Sequence, residues 1–122
     1  KYVYAMGIGY SMVAIDYISR KCVRDGYRLI YTESLGELSE FEDNVGIMVS
    51  ESGETQLVID EAEKCRQHGY FTIAFLRNEN SRLRKMVDLP IIIPKEEWED
   101  ELQINTFVSN TIIAFQLLFS QL

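Results

Sequence analysis

One histidine, two cysteines and two prolines occur in 122 residues. The lone histidine, His68, excludes a zinc site built on several imidazoles. The two cysteines, Cys22 and Cys65, lie far apart and form no CxxC pair, so no metal centre is expected. Each sits among apolar residues at helical spacing and reads as a buried free thiol. The prolines, Pro90 and Pro94, bracket a single apolar run, and no repeat or Pro/Gly/Ser-rich linker divides the chain. One domain is expected. No apolar run is long enough to span a bilayer, and no basic stretch followed by an apolar run opens the chain, so neither a transmembrane segment nor a secretory signal is read. A cytoplasmic chain without membrane contact is the expectation. Basic residues are scarce: Lys plus Arg number 12 against 19 Asp plus Glu, a formal charge of −7. Such a surface repels a phosphate backbone, so direct nucleic-acid contact by this segment is not expected.

Hydrophobic residues make up 47% and charged residues 25%, the balance of a globular chain with enough apolar side chains for a core. Short apolar runs alternate with helical periods. Strands are predicted over 2–8, 28–32, 45–50, 71–76 and 89–93. Helices are predicted over 11–25, with Ile15, Ile18 and Cys22 on one face; over 54–68, with Val58, Ala62 and Cys65; over a short stretch capped by Ser81; and over 105–121. Gly26 and Gly69 stop the first two helices. Residues 33–43 read as an acidic connection with one turn of helix. Strands alternating with helices predict an α/β, flavodoxin-like three-layer sandwich: a five-stranded parallel sheet in the order 2-1-3-4-5 with helices on both faces. The chain enters strand pattern almost at Lys1 without an initiator Met, and is read as a piece of a longer protein.

Two loops stand out. Gly7-Ile8-Gly9-Tyr10-Ser11 follows the first strand and Ser50-Glu51-Ser52-Gly53-Glu54-Thr55 follows the third. In the order 2-1-3-4-5 they are neighbours at the point where the chain reverses direction, where open α/β sheets bind ligands. Each leads into a helix N-terminus, whose unpaired N–H groups and dipole favour an anion. Gly7 and Gly9 allow tight turning and close backbone approach, and Ser11, Ser50, Ser52 and Thr55 bring hydroxyls. Taken singly, each loop also reads as an ordinary turn with Ser11 or Ser52 as a helix cap. A dinucleotide fingerprint competes for the first loop, but Met12 stands where its third glycine is needed.

These motifs, G-I-G-Y-S at 7–11, S-E-S-G-E-T at 50–55 and S-R-L-R-K-M-V-D at 81–88, resemble the sugar isomerase (SIS) domain, a phosphosugar-binding module. The resemblance runs from about Tyr2 to Pro94 and is most similar to the effector-binding half of RpiR-type transcription regulators. It implies a sugar-phosphate ligand held by Ser50, Ser52 and Thr55, with Gly53 giving backbone access and Ser11 reaching in from the other loop; Gly9, Tyr10 and Glu51 complete the candidate set. It also implies a homodimer or higher homo-oligomer, and DNA contact through a helix-turn-helix domain outside this segment. No cofactor is implied. Glu51 occupies a place where an uncharged residue is common; opposite a phosphate it either points outward or meets a hydroxyl or amine of the ligand.

Aldose–ketose isomerisation needs a positioned acid and base. His68, at a helix C-terminus, falls at the far end of the sheet. Glu33 and Glu37 reach at most the site's edge. No catalytic residue is assigned, and a sensor that binds without turnover is preferred over the alternative, a phosphosugar isomerase. Trp98 reads as a packing anchor, although the resemblance places its segment near the ligand. Arg77, Arg82, Arg84 and Lys85 read as a solvated basic face, with Arg77 and Arg82 nearest to a phosphate. The last helix is apolar nearly all round, at Ile112, Ile113, Phe115, Leu117, Leu118 and Phe119, so its outer face is expected to be covered.

Overall fold

A computed structural model describes residues 2–30 and 43–120. The connection expected over 33–43, with Glu33 and Glu37, and the end of the second predicted strand lie outside the described residues, save for Asp43. The five strands, β1 (Tyr2–Gly7), β2 (Arg28–Leu29), β3 (Val45–Val49), β4 (Phe71–Leu76) and β5 (Leu89–Ile92), pair in parallel in the order β2-β1-β3-β4-β5. Helices α1 (Ser11–Arg24), α2 (Gln56–Gln67), α3 (Arg82–Met86), α4 (Glu99–Leu102) and α5 (Phe107–Phe119) connect or follow them. The order and the parallel pairing are those expected from the sequence.

Side-chain alternation along each strand divides the core into two layers. Val3, Ile47, Val49, Ile73 and Phe75 face α1 and α5, where Ala14, Ile18, Cys22, Phe107 and Phe115 meet them. Tyr4, Met48, Ala74 and Leu76 face α2 and α3, where Val58, Ala62, Cys65 and Leu83 lie. The central strands are buried on both sides, as parallel strands covered by helices must be. Cys22 and Cys65 are free and belong to opposite layers. Burial pushes their thiols up to about 11 and about 12, so both are protonated packing groups at neutral pH.

Among the described residues the predicted ends that differ shift by a residue or two, and two caps are corrected. Tyr10, not Ser11, is the N-cap of α1, and Ser11 is the first helical residue. Thr55, not Ser52, is the N-cap of α2. Ser52 instead closes a tight local turn, its hydroxyl accepting from Glu54 N–H at 3.1 Å. The start of α5 moves from Asn105 to Phe107 because the Asn105 side chain accepts from Phe107 N–H at 2.8 Å. Helix α4 was not foreseen. Ser81 caps α3 as expected, accepting from Arg84 N–H at 3.3 Å. Ile113 and Leu117 of α5 remain exposed, as do Met12 and Val13 of α1. No helix among the described residues is long and apolar enough to cross a membrane.

Candidate functional site

Registry brings the two loops together. Gly7, the last residue of β1, pairs with Val49, the last of β3. The chain leaves the sheet from both strands at one level and on the same rim. There a cavity of about 780 Å³ opens, lined from the first loop by Ile8, Tyr10, Ser11 and Val13 and from the second by Glu51, Ser52 and Thr55. Arg77 and Asn78 after β4 and Asn105, Phe107 and Val108 before and in α5 complete the wall. Helices α1 and α2 both begin at this cavity. Neither N-terminus has a side-chain cap, and neither carries an acid in its first turn. Both starts carry the positive end of a helix dipole, although in α1 the Met12 and Val13 N–H groups already donate to Gly9 O and Tyr10 O at 3.0 and 3.1 Å.

Of the eight candidate ligand residues, Tyr10, Ser11, Glu51, Ser52 and Thr55 line the cavity; Gly9, Ser50 and Gly53 do not. The latter three shape the loops. Ser50 is buried, and its hydroxyl accepts from Gly53 N–H at 3.1 Å and shares a hydrogen bond with Thr55 Oγ1 at 3.1 Å. Gly9 turns the first loop at a φ of 64°. Gly53, at φ 67°, packs against Ser81 at the start of α3, and its carbonyl accepts from Leu83 N–H at 3.1 Å. Gly53 thus joins the second loop to the start of α3, and its N–H is engaged by the Ser50 hydroxyl.

The two acids of the second loop part company. Glu54 turns away and holds α3 through Arg82, Nε donating to Oε1 at 2.6 Å and the backbone N–H to Oε2 at 3.1 Å. Those side-chain and backbone bonds lower its carboxyl below the usual range. Arg82 is therefore engaged away from the cavity. Glu51 stays at the cavity, accepting from Asn105 Nδ2 at 2.9 Å. Trp98 is 43% exposed and does not line the cavity. His68 caps the far end of α2, at the rim where β4 starts. Among the described residues no group of three or more His, Cys, Asp or Glu could hold a metal ion.

Sequence reading missed the strut behind the wall. Arg77, read as a solvated basic residue, has a side chain only 12% exposed. It donates from Nε to Ile93 O at 3.1 Å and from Nη1 to Glu99 Oε1 at 3.2 Å, and stands 5.6 Å over the Phe107 ring. Glu99, only 2% exposed, also accepts from the N–H groups of Thr106 and Glu96. Its carboxylate thereby folds residues 96–106 back onto the sheet end and places Asn105 and Phe107 at the cavity. The Thr106 N–H above all, with Glu96 N–H, the Thr106 hydroxyl and Arg77 assisting against desolvation, holds Glu99 down at about 2. A depressed carboxyl stabilises the fold fully above its unfolded value, ordinarily 4.5, and that contribution disappears as pH falls toward about 2. The urea midpoint should therefore fall as pH drops through this window, and Glu99→Gln should flatten that part of the profile. An unchanged slope in the variant would remove Glu99 from this role.

No family model matches the chain. An uncharacterized HTH-type transcriptional regulator of Clostridium perfringens is 28% identical over 102 residues, covering 80% of this chain and 37% of that protein. Among solved structures, an Escherichia coli CFT073 protein in complex with A5P superimposes with a TM-score of 0.71 at 25% identity, covering 99% of this chain and 69% of that one. The NanR protein of Vibrio vulnificus complexed with ManNAc-6P gives 0.75 at 18% identity, covering 98% and 47%. A phosphoheptose isomerase from Francisella tularensis gives 0.73 at 15% identity, covering 95% and 72%. The chain thus spans well under half of the curated relative and about half of NanR. It has the fold of the phosphosugar-isomerase-like SIS proteins, the family its two loops resemble.

Proposed function

We propose that this chain is a sugar-phosphate-binding SIS domain that senses its ligand for a cytoplasmic transcription regulator of carbohydrate metabolism. The observation that carries the reading is the convergence of two uncapped helix starts, with Ser11, Ser52 and Thr55 beside them, on one cavity. Neutral donors arranged in this way suit a phosphate dianion. Similarity to NanR complexed with ManNAc-6P, to the E. coli protein complexed with A5P, and to the clostridial regulator supports a sugar phosphate and a regulatory setting. In this reading a DNA-reading domain lies outside the segment. Assembly as a dimer or higher oligomer covers exposed apolar side chains such as Met12, Val13, Ile113 and Leu117. Ligand binding then biases one subunit arrangement over another.

An isomerase is the competing reading, favoured by the similarity to the phosphoheptose isomerase. Glu51 is the one carboxylate among the described lining residues, and it is already tied to Asn105. Binding without turnover is the simpler use of this cavity.

The test is a thermal-shift panel of sugar phosphates against the same sugars without phosphate, followed by calorimetry. Phosphorylated ligands alone should raise the melting temperature. Ser52→Ala combined with Thr55→Val should weaken binding by at least about 100-fold, since each hydroxyl bonded to a charged group contributes about 1.5–3 kcal/mol. An unchanged affinity in the double variant would remove the site assignment. Interconversion of aldose and ketose phosphates followed by NMR would decide for the isomerase.

A further inference from the structure

The loop read as the phosphate site carries an anion of its own into the cavity. Glu51, between Ser50 and Ser52, lines the wall with its side chain 44% exposed. Its Oε1 accepts from Asn105 Nδ2 at 2.9 Å, and its Oε2 lies 3.7 Å from Arg77 Nη1. Arg77, the sole cation among the described lining residues, is shared with Glu99, whose Oε1 is 3.2 Å from the same nitrogen. Two carboxylates thus face one guanidinium, and the carboxylate of Glu51 is the one that solvent, or a ligand, reaches. Asn78 and Asn105 beside it can accept or donate but add no charge.

We propose that Glu51 is a specificity-determining residue. It makes this site accept sugar monophosphates whose sugar is neutral or carries an amine, and reject those bearing a second anionic group, either a carboxylate or another phosphate. The inference rests on the sugar-phosphate reading above. With the phosphate on the two helix starts, the rest of the ligand lies against Glu51, Asn78 and Asn105. A hydroxyl or ammonium there donates to the free lone pairs of Glu51. A second anion meets the negative charge of Glu51, while Arg77, the one cation among the described lining residues, is already committed to Glu51 and Glu99. Repulsion between Glu51 and the phosphate itself falls on every ligand alike, so it cancels when affinities are compared.

The readout is a ratio of dissociation constants. Wild type and Glu51→Gln are titrated calorimetrically with glucose 6-phosphate, glucosamine 6-phosphate, 6-phosphogluconate and glucose 1,6-bisphosphate. Glutamine keeps an oxygen for Asn105 and removes the charge. Wild type should bind the first two at least about 30-fold more tightly than the last two, the scale of one close, partly screened charge repulsion. In Glu51→Gln the gap should close to within about threefold, glucosamine 6-phosphate losing and the two acidic ligands gaining. Glu51→Ser gives the same answer if the glutamine variant folds poorly, and raising salt should narrow the wild-type gap. Equal affinities in wild type would overturn the proposal while leaving the sugar-phosphate site intact. So would a gap that persists in both variants. If none of the four ligands binds, the sugar-phosphate reading falls, and this inference with it.

Discussion

Replacing Gly53 with alanine should lower the melting temperature by about 10 °C or more and abolish sugar-phosphate binding. Two costs coincide at this residue. Its φ of 67° lies in the left-handed region, which costs an L side chain about 1–2 kcal/mol. A Cβ built there would also stand 2.1 Å from Ser81 Oγ and 2.4 Å from Ser81 Cβ. Neither neighbour can swing aside. Ser81 is fully buried, its hydroxyl caps α3 by accepting from Arg84 N–H, and Gly53 O holds the preceding residue of that turn by accepting from Leu83 N–H. The loop or the helix start must move, at an overpacking cost of about 1–3 kcal/mol. Because Ser52 and Thr55 flank Gly53, any such movement displaces the hydroxyls that line the cavity. Gly9→Ala is the control. Gly9 has nearly the same φ, 64°, but a Cβ there would meet nothing within 4 Å, so only the conformational cost of about 1–2 kcal/mol applies. If the two variants melted together, the contact between Gly53 and Ser81 would not be what fixes the loop.

The sheet could be read from the sequence because its signals are local and redundant. Apolar runs such as Phe71 to Leu76 are too short for helices and too apolar for a half-exposed strand, so they fit only the middle of a covered parallel sheet. Helix faces at Val58, Ala62 and Cys65, or at Ile18 and Cys22, follow from spacing alone. Once the order 2-1-3-4-5 is set, pairing of Gly7 with Val49 brings the two serine-bearing loops onto one rim.

What a residue does inside a loop could not be read in the same way. Ser50, Ser52 and Thr55 look equivalent in sequence, yet Ser50 turns inward to hold the loop while the other two line the cavity. The difference depends on which way a bend of six residues turns, and neither spacing nor hydropathy encodes that. Glu51 and Glu54 show the same limit. The acid whose partner lies 28 positions on, Arg82, leaves the site, and the acid held by Asn105, 54 positions on, stays. Glu99 was hidden most thoroughly. In the acidic run from Glu96 to Glu101 it is indistinguishable from its solvated neighbours, and only the return of the chain across the end of β4 buries it. Long-range polar partnerships of this kind carry no periodic signature.

Arg77→Ala is expected to be the most disruptive change at that buried junction, lowering the melting temperature by about 10 °C, the scale set by breaking a buried ion pair in a domain of this size. Alanine leaves the carboxylate of Glu99 in the interior without its counter-charge, strands Ile93 O without the Nε donor 3.1 Å away, and uncovers the Phe107 ring. Lysine should recover less than half of the loss. It restores a point charge but cannot reach Ile93 O, Glu99 and the Thr106 hydroxyl at once, as the planar fork does. Ligand affinity should fall as well, but indirectly, because residues 96–106 carry Asn105 and Phe107 to the cavity wall. The two routes separate by salt. An arginine whose charge is already met by Glu51 and Glu99 contributes little long-range pull on a phosphate, so the salt dependence of ligand binding should be nearly the same in wild type and variant. Should Arg77→Ala melt within about 3 °C of wild type and yet lose both binding and its salt dependence, Arg77 would be a direct anchor for the ligand, and the wall would need another support.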